Sequence, residues 1–161
     1  MKNLFAILIL LLIIPCSKRK VLSERRIPAI DLYDGPFYRI LRKFFRQHDV
    51  SQYIDILILS AKYGLIKSYD LISTYNERMT PHRAKEFSPD IYSFLKILLS
   101  KEQYQEIFIN LGKTYTLALA DSEELLNHYN VFWSKGQIGE RMQQLKNWIQ
   151  KVIGKERLEE Q

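Results

Sequence analysis

The segment Pro15-Cys16-Ser17-Lys18-Arg19-Lys20 places a thiol, a hydroxyl and three cations side by side. A cysteine next to Lys18 and Lys20 has the electrostatic means to become a thiolate nucleophile. The plainer reading of Cys16 is a small, half-buried thiol that closes a strand, since no histidine is near it in sequence. Lys20 offers either an anion-holding charge or, with its pKa lowered by burial and neighbouring cations, an amine nucleophile. Further along, "AIDLYDGPFYR" supplies Asp31, which could accept a hydrogen bond from a ring N–H or balance Lys20, and Tyr33, which could stack or donate. A turn built on Asp34-Gly35-Pro36 with Tyr33 packed beneath it is the structural alternative.

Three more polar clusters resemble the first in kind. They are Ser60-Ala61-Lys62-Tyr63-Gly64, then Gly112-Lys113-Thr114-Tyr115, then Ser134-Lys135-Gly136. Each follows a short apolar run. Lysines supply charge to an anion, and glycines let the backbone approach a phosphate or a flat base. The predicted ligand-binding set is Ser17, Lys18, Tyr33, Ser60, Lys62, Tyr63, Gly64, Gly112, Lys113, Lys135 and Gly136, with Cys16, Lys20 and Asp31 as catalytic candidates. "GKT" at residues 112–114 lacks the upstream glycine of a P-loop, so a nucleoside triphosphatase is not expected. "STYNERMT", residues 73–80, either forms a lid through Tyr75 and Arg78 or is only a loop ahead of a helix begun by Thr80-Pro81.

The apolar runs before these clusters are residues 7–14, "DILILS" at 55–60, "EIFINL" at 106–111 and "NVFWS" at 130–134. Separated by helical patterns, they predict one α/β domain over residues 1–155 with a mainly parallel, four-stranded sheet. In such sheets ligands bind beyond the C-terminal strand ends, where all four clusters would converge. Helices are expected after Asp34-Gly35-Pro36, with Phe37, Ile40, Leu41, Phe44 and Phe45 inward. Others are expected from Ser88-Pro89-Asp90, from Ser122, and after Gly139. The last carries Met142, Leu145, Trp148, Ile149 and Val152 on one face and Arg141, Lys146 and Lys151 on the other.

The first run, with Lys2 ahead of it, also has the look of a secretion signal. It lacks a small-residue cleavage site, because Pro15 precedes Cys16, and a triple positive charge follows. It is shorter than the about 20 apolar residues of a membrane span. A buried strand is therefore expected, with residues 1–6 as a disordered extension and residues 156–161 as a frayed tail. A lone cysteine suits a reducing cytoplasm. Three scattered histidines provide no metal cluster, and no cofactor is expected. A net charge of +6 makes nucleic acid or a nucleotide the plausible partner, and a membrane is not expected to be one.

"LIIPCSKRK", "PAIDLYDGPFYRILRKF", "ILSAKYGLI" and "YNERMT" resemble small bacterial proteins of the YaaA-like group, labelled peroxide stress proteins. "SKGQIGERMQQLKNWI" is similar to the close of that group. The chain lacks the S-P-A-K opening of the better-studied YaaA proteins. The resemblance implies a role in protection against hydrogen peroxide, with DNA binding. Pro15, Cys16 and Lys20 also fit the P-C-x-x-x-K motif of archaeosine synthase, although Val21 and Leu22 stand where that motif continues P-Y. This second likeness implies an architecture like that of uracil-DNA glycosylases, and an enzyme acting on a nucleobase or 7-deazaguanine-like group. Three functions fit these residues: a DNA- or nucleotide-binding stress protein, such an enzyme, and an interaction module with no small-molecule site.

Overall fold

The computed structural model describes residues 9–159, with side chains to residue 154. The expected extension at 1–6, and the start of the strand expected at 7, lie outside the described residues.

The leading apolar run forms β1 (Ile9–Pro15) at the centre of the sheet. Its side chains alternate between two cores. Leu10, Leu12 and Ile14 enter one and Leu11 and Ile13 the other, all buried. A strand covered on both faces has no position that tolerates a polar residue, which is why it reads as an unbroken apolar run. It pairs in parallel with β3 (Ile54–Ser60) on one side and β6 (Tyr104–Ile109) on the other. Beyond β6 lies β7 (Val131–Trp133), also parallel.

The sheet has five strands rather than the expected four, in the order β4-β3-β1-β6-β7. The extra one, β4 (Gly64–Lys67), folds back antiparallel on β3. It falls in the stretch taken as a strand exit, so Gly64 is a hairpin residue. At φ +75° Gly64 occupies a conformation that disfavours any side chain, and an added Cβ would lie 3.2 Å from the Phe87 ring. Gly64→Ala is expected to cost about 1–2 kcal/mol, read as a lower urea midpoint with an unchanged slope.

Two residues each of β2 (Ile27–Pro28) and β5 (Leu71–Ile72) form a separate antiparallel strap. α1 (Ala29–Leu32) follows β2 directly. α2 (Pro36–Gln47) begins with proline at its first position and buries Phe37, Ile40 and Leu41, with Phe44 and Phe45 partly covered. It packs with α6 (Ile138–Glu159) on the Leu12 face of the sheet. α6 stays helical through 156–159, which were expected within a frayed tail.

The opposite face is covered by α3 (Pro81–Lys101), α4 (Lys113–Thr116), a 3₁₀ turn (Leu117–Ser122) and α5 (Glu123–Leu126). α3 starts at the Thr80-Pro81 opening and runs on through Ser88-Pro89-Asp90, the second helix start offered by the sequence. The Thr80 hydroxyl accepts from the Arg83 N–H and caps it. Ser88 is buried, and its hydroxyl accepts from the Asp121 N–H instead of capping a helix. Pro89 is carried inside α3 at an exposed position. No helix among the described residues is long and apolar enough to cross a membrane.

Candidate functional site

The strand order reverses beside β1. From β1 the chain crosses by α2 to β3 on one side, and later by α3 to β6 on the other. The connections leaving β1 and β6 therefore diverge to opposite faces and open a crevice at the C-terminal edge. Two adjoining hollows occupy that crevice, of about 310 Å³ and about 250 Å³. Cys16, Ser17, Lys18 and Tyr115 line both.

The larger hollow adds Lys20, Asn76, Glu77, Arg78 and Met79. Lys20 is held by main-chain pairing of its strand-like segment against Tyr33, and by the Val21 N–H bonding the Leu32 carbonyl at 2.8 Å. Its ammonium lies 4.4 Å from the centre of the Tyr75 ring and donates to the Lys18 carbonyl at 3.3 Å. Burial lowers the Lys20 pKa, against the opposing influence of Cys16 and Glu77. Beneath it the Tyr75 hydroxyl bonds both Tyr33 Oη, at 2.7 Å, and Ser60 Oγ, at 2.9 Å. Ser60 is fully buried and accepts the Lys62 and Tyr63 N–H groups, which fixes the β3 exit. Burial pushes the Tyr33 phenol up to about 12 and raises that of Tyr75 too. The lysine thus meets the face of a neutral ring.

The narrower hollow adds Gly35, Pro36, Phe37, Tyr38, Gly112, Ile138 and Arg141. Tyr38 donates to the Pro15 carbonyl at 2.8 Å and pins the end of β1. Cys16 Sγ lies 3.3 Å from Tyr115 Oη. Burial raises the Tyr115 pKa, with Cys16 adding to the effect. Cys16 is therefore hydrogen-bonded to a neutral phenol, in a wall common to both hollows.

The sequence-derived set divides in the structure. Cys16, Ser17, Lys18, Lys20 and Gly112 line the hollows, and Tyr33 and Ser60 support them from behind. Tyr63 stacks edge-on against Tyr75 with ring centres 5.6 Å apart, and Lys62 is exposed over Tyr63. Asp31, Lys62, Gly64, Lys113, Lys135 and Gly136 line neither hollow. Asp31 is exposed on α1 and borders a separate groove near the N-terminal ends of β3 and β6. The carboxylate that gathers cations is Asp34, with Arg42 at 2.8 Å, Arg19 at 3.3 Å and Arg39 at 3.4 Å; Arg39 first, then Arg42, hold its pKa down. Lys113 is exposed on α4. Lys135 is held by its backbone, which exchanges two hydrogen bonds with the Gln144 amide, and Gly136 turns the chain at φ +90°.

Several residues at the site were not in that set, among them Glu77 and Arg78 of the larger hollow and Tyr75, Tyr115 and Arg141. Tyr75 belongs to the segment read as either lid or loop; its ring faces inward and supports Lys20. Tyr115 was visible only as part of an exit. Arg141 was placed on the outer face of α6, yet it points into the narrower hollow. The sequence carried a signal for it: Arg141 stands four residues before Leu145 and seven before Trp148, on the buried stripe.

Fold and crevice together define an open-sheet α/β domain with a polar, aromatic-walled cleft at its topological switch point. The chain belongs to the family described as "Family of unknown function (DUF6884)", which matches it over residues 11–147. It is similar to the UPF0246 protein FP0718 of Flavobacterium psychrophilum, at 29% identity over 105 residues. UPF0246 is the YaaA family. That match takes in 61% of this chain and 42% of the relative, so the chain spans less than half of it. A solved structure titled "Crystal structure of AF0587, a protein of unknown function" aligns with 87% of this chain and 44% of its own. The TM-score is 0.48 and the identity 15%.

Proposed function

We propose that this domain binds a nucleotide, or a nucleobase-bearing anion, across the two hollows at the C-terminal edge. One observation carries the reading: at the switch point, cations not paired to carboxylates share walls with aromatic rings. Lys18, Lys20 and Arg78 offer charge, while Tyr115 offers a partly exposed ring beside the buried Phe37 and Tyr38. Other arginines nearby, Arg19, Arg39 and Arg42, are already drawn to Asp34. Glu77 lies in the larger hollow and takes the part expected of Asp31, an acceptor for a ring N–H. The sizes suit one nucleotide rather than a duplex. Binding of DNA, as the YaaA resemblance implies, would then engage a single-stranded end or an extruded base, in the manner of uracil-DNA glycosylases.

Calorimetric titration of nucleosides, nucleoside 5′-monophosphates and short single strands at low salt tests this. Nucleotides are expected to bind, and Lys18→Ala with Lys20→Ala to weaken them about tenfold or more. Raising salt weakens single strands more steeply than mononucleotides, because more counterions are released. Absence of binding by every member of the series would refute the reading.

A second reading, an enzyme acting on a nucleobase or 7-deazaguanine-like group, draws on Lys20 itself. Its lowered pKa favours the neutral, nucleophilic amine, and the P-C-x-x-x-K spacing sets it beside Cys16. A Lys20→Ala protein that folds and keeps every binding and turnover property would remove Lys20 from the chemistry. The peroxide-protection role is a proposal of the same resemblance, tested by peroxide survival of cells lacking the chain.

A further inference from the structure

The guanidinium of Arg141 is the cation of the crevice that is incomplete among the described residues. Its Nε and Nη1 atoms are buried and have no hydrogen-bond partner. No carboxylate among the described residues pairs with it. Phe37 lies beneath it, the ring centre 5.6 Å from Cζ, and Gly112 lies alongside, where an added Cβ would come 3.4 Å from Nη2. The arginine is not there by accident of a loose surface: its own carbonyl accepts from the Asn110 side chain at 3.0 Å, which anchors this turn of α6 to the end of β6. Burial lowers its pKa, as for a cation partly withdrawn from water and given no counter-charge.

A buried charge without a partner is destabilising, and folded proteins rarely keep one unless something else completes it. The other cations of the crevice are not in that state. Lys18 is exposed and Lys20 rests on Tyr75. We infer that Arg141, with Lys18 across the narrower hollow and Gly112 opening room beside it, is the seat of the ligand's compact anionic group, a phosphate. This deepens the nucleotide reading and rests on it only for what the phosphate is attached to. A fork of N–H donors in a desolvated hollow binds a tetrahedral oxyanion more strongly than solvated lysines do.

The test uses the full chain, wild type and Arg141→Met, with inorganic phosphate, nucleosides and nucleoside 5′-monophosphates as probes. Phosphate alone raises the melting temperature of the wild type and leaves that of the variant unchanged. In the absence of any anion the variant melts higher than the wild type, by about 2–4 °C, because the unpaired cation is gone. A merely structural arginine would give the opposite sign. The 5′-phosphate strengthens nucleotide over nucleoside binding about tenfold in the wild type and not in the variant, nucleoside affinity being equal in both. A variant that melts lower, or that phosphate still stabilises, overturns the inference, as does a wild type indifferent to phosphate. Should phosphate act through Arg141 while nucleosides and nucleotides bind no better than phosphate itself, the anion seat stands and the nucleotide reading falls.

Discussion

Leu12→Ala is expected to destabilise the protein by about 2–5 kcal/mol, a large part of the roughly 5–15 kcal/mol that holds a domain together. Leu12 is fully buried in the middle of β1, with Ile56 of β3 on one flank and Phe108 of β6 on the other. Truncation opens a cavity that the strands cannot close, because both are fixed by their own pairing. Leu22→Ala is the internal control. Leu22 is fully exposed, at 102% of its reference area, and its loss should change stability by no more than about 0.5 kcal/mol. Urea unfolding of both variants reads the contrast. Equal, small effects would mean that the first apolar run is not the centre of the fold.

β1 was legible because continuous burial leaves a continuous apolar signature. β3 and β6 were legible for the same reason, and α2 because its proline start and its three-and-four spacing agree. β4 was not, since its glycine, lysine and tyrosine surroundings look the same whether the chain leaves the sheet or turns back onto it. Only the positive φ of Gly64, a property of the folded backbone, separates the two. The sequence offered two starts for α3 because Thr80-Pro81 and Ser88-Pro89 are equally good openings locally. Tertiary contact decides between them by committing the Ser88 hydroxyl to Asp121. At the site, the residues of the β1 exit were readable since they follow the strand directly. Asp31 lines neither hollow, because carboxylates three residues apart face different ways once α1 has formed, and it is Asp34 that meets the arginines. Arg141 was lost to the habit of assigning arginine to the outside of a helix, against the register its own neighbours set.

Stability is also expected to collapse between pH 10 and 12, and the buried phenols, four of them at the site and Tyr104 at the far edge of the sheet, are the reason. Tyr33, Tyr38 and Tyr104 are almost fully buried, and Tyr75 and Tyr115 are partly so. Burial is the leading cause of the upward pKa shift in all five, and Tyr33 is pushed up to about 12. A phenol in the unfolded chain loses its proton near pH 10. Above that pH the folded state holds protons that the unfolded state has released, so each such tyrosine subtracts up to about 1.4 kcal/mol per pH unit. The stabilisation is complete below pH 10 and is lost as pH rises toward the folded values. Five groups acting together exhaust a typical domain's stability within about two pH units. Absorbance of phenolate should therefore rise in one cooperative step that coincides with loss of circular dichroism. Tyr75→Phe removes one contributor, and the unfolding pH should move upward even as neutral-pH stability falls through loss of the bonds to Tyr33 and Ser60. Gradual titration of all the tyrosines with no unfolding step would mean that the hydroxyls under Lys20 are open to water, and that the cleft lacks the dry floor its lysine rests on.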